Sequence, residues 1–175
     1  AEKLRQPLAG DPEASAALAD ILEEISRLHQ VIDRLLFLAK SESGSIKLSA
    51  RPIDVRAMLT VFAEDAQALA DDRGVRFSLT ENAEGEIRAE PDLLRQLLLN
   101  LIANAVSASP PGGLVQLKSS STETGWQFTV TDEGPGIPDD QLPRIFDRFV
   151  RFNHPADEAR TRTGHGLGLA ICKSI

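Results

Sequence analysis

The sequence is poor in the residues that mark secreted and membrane-spanning proteins. It holds a single cysteine, Cys172, which excludes an internal disulfide framework and fits a reducing compartment. Cys172 lies within the last apolar run, so we expect a buried structural thiol. No apolar stretch approaches the length of a membrane span, and no signal peptide opens the sequence. These absences predict a cytoplasmic location for the segment.

Positive charge and aromatic residues are also scarce. Lysine and arginine total 19 against 26 aspartate and glutamate residues, which gives a formal net charge of −7. This balance argues against a general binder of nucleic acid or of anionic membranes, because both need an excess of basic side chains. There is no tyrosine, one tryptophan and seven phenylalanines. With 42% hydrophobic residues, the 175-residue chain is still long enough to bury a core, and we expect one domain with an appended element.

The first part of the chain has the periodicity of one long helix over residues 14–40. Its apolar residues alternate three and four positions apart and form a stripe of Leu18, Ile21, Ile25, Leu28, Ile32, Leu35 and Ala39. Further apolar residues widen this stripe beyond a two-stranded seam, which is typical of a helix in a four-helix bundle that two chains can build together. The preceding "EKLRQPL" indicates the end of an earlier helix, and "GDPEAS" indicates the turn between them.

The rest of the chain alternates between helix and strand patterns. A boundary near Ser49 separates residues 1–48 from residues 49–175. Helices are predicted over 55–72 and 91–109, with strands over 75–80, 86–89, 114–121 and 126–132. The apolar face of the 55–72 helix comprises Met58, Leu59, Phe62, Ala66 and Leu69. This order predicts an α+β protein, a two-layer α/β sandwich with helices packed on a mixed, largely antiparallel sheet.

Two patterns are typical of phosphate binding. The chain closes on "GHGLGLAICKSI", in which three glycines precede an apolar helix. Glycine-rich backbone at a helix start suits an anion, although glycines in ordinary turns give the same pattern. Asn100 and Asn104 lie one helical turn apart beside a buried side that we expect to comprise Leu94, Leu97, Leu98 and Leu101. Such amides can ligate Mg²⁺ and donate to phosphate, or can simply be solvated.

Two further patterns lie between these. "TDEGPGIP" ends an apolar strand in Asp132 and turns through two glycines. A buried carboxylate there would accept a hydrogen bond from an exocyclic amine, whereas an exposed one would belong to a simple turn. "IFDRFVRF" places Phe146, Phe149 and Phe152 three apart, ahead of the polar stretch "NHPADEARTRT". This order indicates a loop that is anchored by a phenylalanine cluster and closed by the last glycines.

Taken together and in this order, the four motifs resemble the ATP-binding domain of sensor histidine kinases, the enzymes of two-component signalling. The resemblance implies a Bergerat-type fold with ATP and Mg²⁺ as ligands, Asp132 on the adenine amino group and Asn104 on the metal. Phe146 and Phe149 would anchor the lid. The ATP-binding residues that it implies are Asn100, Asn104, Asp132, Gly134, Gly136, Ile137, Phe149, Gly164, His165, Gly166, Leu167, Gly168 and Leu169. The cations Arg148, Arg151 and Arg162 would either meet the γ-phosphate or remain solvated.

The long helix, with "ISRLHQVIDRLLFLAKSESGSIKL", is similar to the second helix of that family's dimerisation and phosphotransfer domain. The resemblance implies a homodimer in the intact protein, transfer to the Asp of a response regulator, and a membrane anchor only upstream. The phosphoacceptor histidine of the family is missing here, so we expect no autophosphorylation by this segment. His29 flanks the apolar stripe, where we expect an exposed or bundle-edge histidine rather than the acceptor. His154 and His165 belong to the lid.

Departures from the family pattern leave two alternatives. Ser107 and Ala108 stand where many members carry a cation and an aromatic residue, which predicts weakened nucleotide affinity. One alternative is another ATPase of the same fold superfamily, such as a gyrase-like or chaperone-like enzyme. Those enzymes carry a catalytic glutamate just before the first asparagine, where this chain has leucines at 97–99. The other alternative is a dimeric signalling or scaffold module whose nucleotide site is vestigial.

Overall fold

The computed structural model describes residues 12–46, 48–150 and 165–175, and these residues form a long helix followed by an α+β unit. The helices are α1 (Pro12–Glu42), α2 (Val55–Asp71), α3 (Pro91–Ala108) and α4 (Gly168–Ser174). The strands are β1 (Arg51–Asp54), β2 (Arg76–Asn82), β3 (Glu86–Ala89), β4 (Leu114–Thr122) and β5 (Gly125–Thr131). A short 3-10 helix covers Leu142–Arg144. The predicted elements of residues 14–132 are therefore all present.

The strands form two small sheets. β1 pairs antiparallel with β3, and the three-stranded sheet has the order β2-β4-β5. In that sheet β2 and β4 run parallel while β4 and β5 run antiparallel. The parallel pair arises because α3 lies between β2 and β4 in the chain and supplies the crossover that parallel strands need. The predicted α+β class, with a mixed sheet and helices packed on it, is confirmed.

The core lies between the sheets and the helices α2 and α3. β4 alternates buried and half-buried residues, and its side chains Val115 and Leu117 face the two helices. Helix α2 begins where Asp54 Oδ1 accepts a hydrogen bond from Ala57 N at 2.8 Å, which satisfies a free amide of its first turn. Helix α3 begins with Pro91, which needs no amide partner at that position.

Two details of the predicted helix faces are wrong. In α2 the buried stripe ends in Ala70, while Leu69 is exposed. In α3 Leu97 and Leu101 are only half-buried, and Ile102 is fully buried in their place. Both shifts follow from the 3.6-residue turn, because the sheet admits one narrow stripe of each helix and neighbouring apolar residues fall beside it.

Helix α1 packs on the α+β unit through its last turns. Leu38 is buried against Leu167, Ala170 and Ile171, while Val31, Leu35 and Phe37 pack around this cluster. Ser41 Oγ donates to Ser174 O at 3.1 Å, and Glu42 forms an ion pair with Arg148. Most of the predicted apolar stripe lies on another face and is exposed, at Ile21, Ile25, Leu28 and Ile32. Within the described ranges, no helix combines the length and apolarity needed to cross a membrane.

Candidate functional site

The two asparagines of α3 face the glycine-rich backbone before α4. A Cβ atom added at Gly168 would lie 3.7 Å from Asn104 Nδ2 and 3.8 Å from Asn100 Oδ1. The four-residue spacing places both amides on one side of α3, and the absence of a side chain at Gly168 keeps the space between them open. The structure therefore brings together the asparagine pair and the last glycines, as the motifs predicted.

Asn100 carries an unpaired donor. Its Nδ2 atom is buried and has no hydrogen-bond partner among the described residues. The Cys172 sulfur lies beside this amide but is a weak acceptor. Leaving a buried amide unpaired costs about 1–3 kcal/mol. A buried donor without a strong partner is a feature that needs an explanation, and a bound acceptor such as an anion would supply one.

Cys172 is half-buried rather than fully buried as expected, and this partial burial favours the protonated thiol. Desolvation raises the pKa of Cys172 to about 11, although the Asn100 amide and the backbone act in the opposite direction. The sulfur donates to Leu97 O at 3.7 Å. The expectation of a structural thiol agrees with this environment, since a reactive cysteine needs a lowered pKa. The thiol also fixes α4 to α3 beside the asparagine pair.

A cavity of about 550 Å³ opens in front of the asparagine pair. Its volume falls within the range of small-molecule sites. One wall is α3, with Asn100, Asn104 and Ser107, and a second is the backbone at residues 165–169. The third wall comes from α1, with Arg27, Gln30 and Arg34. No role was predicted from the sequence for these three residues.

The loop after β5 lies against the end of α3, one residue beyond the cavity-lining Ser107. A Cβ atom at Gly134 would lie 2.7 Å from Asp132 Oδ1 and 3.0 Å from Ala108 O, so only glycine lets the loop approach α3 this closely. Asp132 Oδ1 accepts from Gly134 N at 2.8 Å. Asp132 is exposed, so of the two arrangements that the sequence left open the structure shows the exposed carboxylate. Its position one residue beyond the end of β5 leaves it on the surface rather than in the core.

The segment before the polar stretch is held by its backbone. Phe149 has a left-handed φ of 62°, and its N–H donates to Gly166 O at 2.9 Å. Gly166 has a φ of 66°, and a Cβ atom there would lie 2.8 Å from Phe149 C and Val150 O. The Phe146 and Phe149 side chains are exposed, so the predicted packed phenylalanine cluster is wrong for these two residues. A Lys173 ammonium lies 6.0 Å from the Phe146 ring centroid.

The remaining predicted residues are placed as follows. Ile137 is exposed, Gly136 has a φ of 75°, and His165 is exposed at the cavity. Leu167 is fully buried and belongs to the cluster that holds α1, while Leu169 lines the cavity. His29 is exposed, as expected, and its Nδ1 lies 3.1 Å from Ile25 O. Arg148 is paired with Glu42 rather than aimed at the cavity. The predictions for Phe152, Arg151, His154, Arg162 and Gly164 lie outside the described residues.

Comparison with known proteins identifies this arrangement. Residues 89–175 match the family described as "Histidine kinase-, DNA gyrase B-, and HSP90-like ATPase". Sensor histidine kinase CusS of Escherichia coli O157:H7 is 33% identical over 156 residues, which are 88% of this chain and 31% of that protein. Sensor protein SphS of Synechococcus elongatus is 33% identical over all of this chain and 43% of its own length. The chain thus spans about a third of the length of the curated relatives it matches.

Solved structures give the same result. Full-length ShkA in complex with AMPPNP superposes with a TM-score of 0.76 at 28% identity, covering 99% of this chain and 38% of that one. The mycobacterial sensor histidine kinase MprB superposes with a TM-score of 0.59 at 31% identity, covering 70% of this chain and 77% of that one. The chain therefore belongs to the sensor histidine kinases of two-component systems, and its residues 89–175 carry their ATPase-like domain.

Proposed function

We propose that this chain is the kinase core that binds Mg·ATP, with the phosphates held between the asparagine pair and the backbone at residues 165–169. The observation that carries the proposal is that Asn100 and Asn104 line an open cavity opposite the backbone at residues 165–169, with Asn100 Nδ2 buried and without a hydrogen-bond partner among the described residues. A phosphate oxygen there would accept its hydrogen bond and remove the cost of the unpaired donor. The neighbouring glycine backbone has no Cβ atoms to obstruct this approach.

In this proposal Asp132 binds the adenine amino group. One carboxylate oxygen, Oδ1, accepts from Gly134 N, which orients the side chain and leaves Oδ2 as an acceptor. Gly134 lets the loop lie against Ala108 at the end of α3, so the base would sit beside the phosphate cavity. Gly136 allows the turn that follows, because its φ of 75° is unfavourable for other residues.

The residues present suit a metal that arrives with the nucleotide. Asn104 Oδ1 is a hard ligand at the cavity, and a single amide oxygen is typical of sites where Mg²⁺ keeps several waters and binds phosphate oxygens. Bound there, Mg²⁺ would offset phosphate charge during transfer. Asn104 would orient the triphosphate through this contact, while Asn100 would donate to a phosphate oxygen.

The intact protein, in this account, transfers the γ-phosphoryl group to a histidine. A neutral imidazole nitrogen would attack the γ-phosphorus, the bond to the β,γ-bridging oxygen would break, and ADP would leave. No residue of this segment serves as that nucleophile, and His29 remains unassigned to it. The phosphoryl group would then pass to an aspartate of a response-regulator receiver domain. The chain's own contribution is to position ATP.

We also assign residues 1–48 to a dimerisation and phosphotransfer region and residues 49–175 to the ATP-binding domain. The exposed apolar residues Ile21, Ile25, Leu28 and Ile32 on α1 support this division. A helix with one face on its own domain and a second apolar face in solvent suits a bundle formed with a partner chain. This exposed face supports the proposal that the intact protein is a homodimer.

A hydrolytic ATPase is not favoured. Such an enzyme needs a general base beside the first asparagine. The nearest charged residue before Asn100 is Arg95, whose Nη2 lies 2.5 Å from Asp65 Oδ2 on an exposed surface. The orphaned amide of Asn100 likewise argues for an occupied site over a vestigial one.

Replacing Asn104 with aspartate tests the magnesium assignment. The variant places a negative charge beside the phosphates and removes the amide donor, so we expect the Mg²⁺-dependent part of ATP binding to be lost, with affinity falling about tenfold to a hundredfold. Calorimetric titration of wild type and Asn104→Asp with ATP, with and without Mg²⁺, measures this directly. Gln127→Glu, at an exposed β5 position remote from the cavity, is the matched control. If wild type and Asn104→Asp bind ATP with equal affinity, and Mg²⁺ changes neither affinity, then Asn104 does not belong to the site.

A further inference from the structure

The third wall of the cavity is held in place by packing. Arg27, Gln30 and Arg34 follow one another at helical spacing on one face of α1 and all line the cavity. Leu38 lies one turn further along and is fully buried against Leu167 and Ile171. Because Leu167 immediately precedes α4, the cluster that fixes α1 also fixes the glycine backbone of the site. The two walls therefore form one packed unit.

The charges on this wall are unequally compensated. Arg27 is paired with Glu23 at 2.6 Å and with Glu24 at 3.6 Å. Arg73, which lines the cavity from the end of α2, lies 3.7 Å from Asp72. Arg34 is half-buried, and within the part of the chain that the structure describes it makes no ion pair and no hydrogen bond. Among the described residues its charge is thus uncompensated in a partly desolvated position, and a bound anion would stabilise it there.

The opposite wall contributes neutral donors only. Asn100, Asn104 and Ser107 face the cavity from α3, and Asn100 Nδ2 is the orphaned donor described above. An anion in the cavity would compensate the guanidinium on one wall and would meet the polar side chains of α3 on the other. Guanidinium groups bind phosphate with two parallel hydrogen bonds, so the terminal phosphate of a nucleotide suits this position.

We propose that Arg34 of α1 binds the terminal phosphate of the nucleotide, so that the long helix completes the ATP site. The proposal rests on the function proposed above and extends it to a residue outside the ATP-binding domain. It couples two events: a nucleotide that engages Arg34 stabilises the packing of α1 on α4, and that packing raises affinity for the nucleotide by the same factor. ATP, which has the longer phosphate chain, favours the packed arrangement more than ADP does.

The test is calorimetric titration of wild type and Arg34→Gln with Mg·ATP, Mg·ADP and adenosine. One charge-assisted contact is worth about 1.5–3 kcal/mol, so we expect Arg34→Gln to weaken ATP binding about tenfold or more. The affinity for ADP should fall less, and the affinity for adenosine should not change. Arg34→Lys should recover part of the ATP affinity. Lys40→Gln removes an exposed charge from the same helix outside the cavity and should leave all three affinities within about twofold.

The series separates a phosphate contact from a structural role. Equal losses for ATP and adenosine, or no loss for ATP, would overturn the proposal, and circular dichroism confirms that each variant is folded. If folded wild type binds no nucleotide, the proposed function fails, and inorganic tripolyphosphate then probes the cavity alone. Binding of tripolyphosphate that Arg34→Gln abolishes would support the anion site. No binding of tripolyphosphate by wild type would overturn it.

Discussion

Substitution of Gly166 with alanine should reduce ATP affinity by about a hundredfold. A left-handed φ costs a non-glycine residue about 1 kcal/mol, and the new Cβ atom would lie 2.8 Å from Phe149 C and from Val150 O. Both neighbours are backbone atoms, so relief requires movement of the chain at residues 149–150 or at 166. Either movement displaces the backbone that faces Asn100 and Asn104. Calorimetry with Mg·ATP measures the loss, and thermal unfolding reports the accompanying change in stability.

Gly112→Ala is the matched control for this experiment. Gly112 has a φ of 75°, and a Cβ atom there would have nothing within 4 Å. The control therefore carries the same conformational cost without a clash, and it lies away from the cavity. We expect a modest loss of stability and unchanged ATP affinity. Retention of wild-type affinity by Gly166→Ala would mean that the glycine-rich backbone does not hold the phosphates.

Asp132→Asn is the second substitution with a large expected effect. Asparagine keeps the size of the side chain and can still accept from Gly134 N through its oxygen. The second carboxylate oxygen is replaced by an NH₂ group. Two hydrogen-bond donors, this NH₂ group and the adenine amino group, would then face each other. Removing one hydrogen bond and leaving unpaired donors costs about 1–3 kcal/mol, so ATP affinity should fall about tenfold to a hundredfold.

An altered base isolates this contact. Purine riboside triphosphate lacks the exocyclic amine, so its affinity for Asp132→Asn should match that for wild type. Asp139→Asn, an exposed carboxylate in the same loop region, removes an equal charge and should change neither affinity by more than about twofold. If Asp132→Asn loses affinity for ATP and for purine riboside triphosphate equally, the effect is a general electrostatic one. That result would contradict the assignment of Asp132 to the adenine amino group.

The helices and strands were predictable because their signals are local. Alternation over β4 and β5, Pro91 at the start of α3, and the 3.6-residue pattern of α2 each reflect one element against one core. What depended on tertiary placement was less predictable. Whether Ala70 or Leu69, and Ile102 or Leu101, is buried depends on where the sheet lies. The division of the strands into two sheets depends on which strand edges pair.

The site shows the same division. Helical spacing was enough to place Asn100 and Asn104 on one face, and the resemblance to the histidine kinase family implied that Gly168 lies beside them. The exposure of Asp132 and of Phe149 could not be predicted, because both lie at loop positions whose burial is set by neighbouring segments. Arg34 was unpredictable for a further reason: its sequence neighbours are those of a solvent-facing helix surface, and only the packing of Leu38 on α4 turns that surface toward the cavity.

Hydrogen exchange of the whole chain, measured with and without saturating Mg·ATP, tests the central claim most directly, because it reports both binding and location. The account predicts slower exchange in peptides that cover residues 100–104, 132–136 and 165–169, with the sheet of β1 and β3 unchanged. Protection confined to other segments, or identical exchange in the presence and absence of nucleotide, would contradict the assignment of this cavity to ATP.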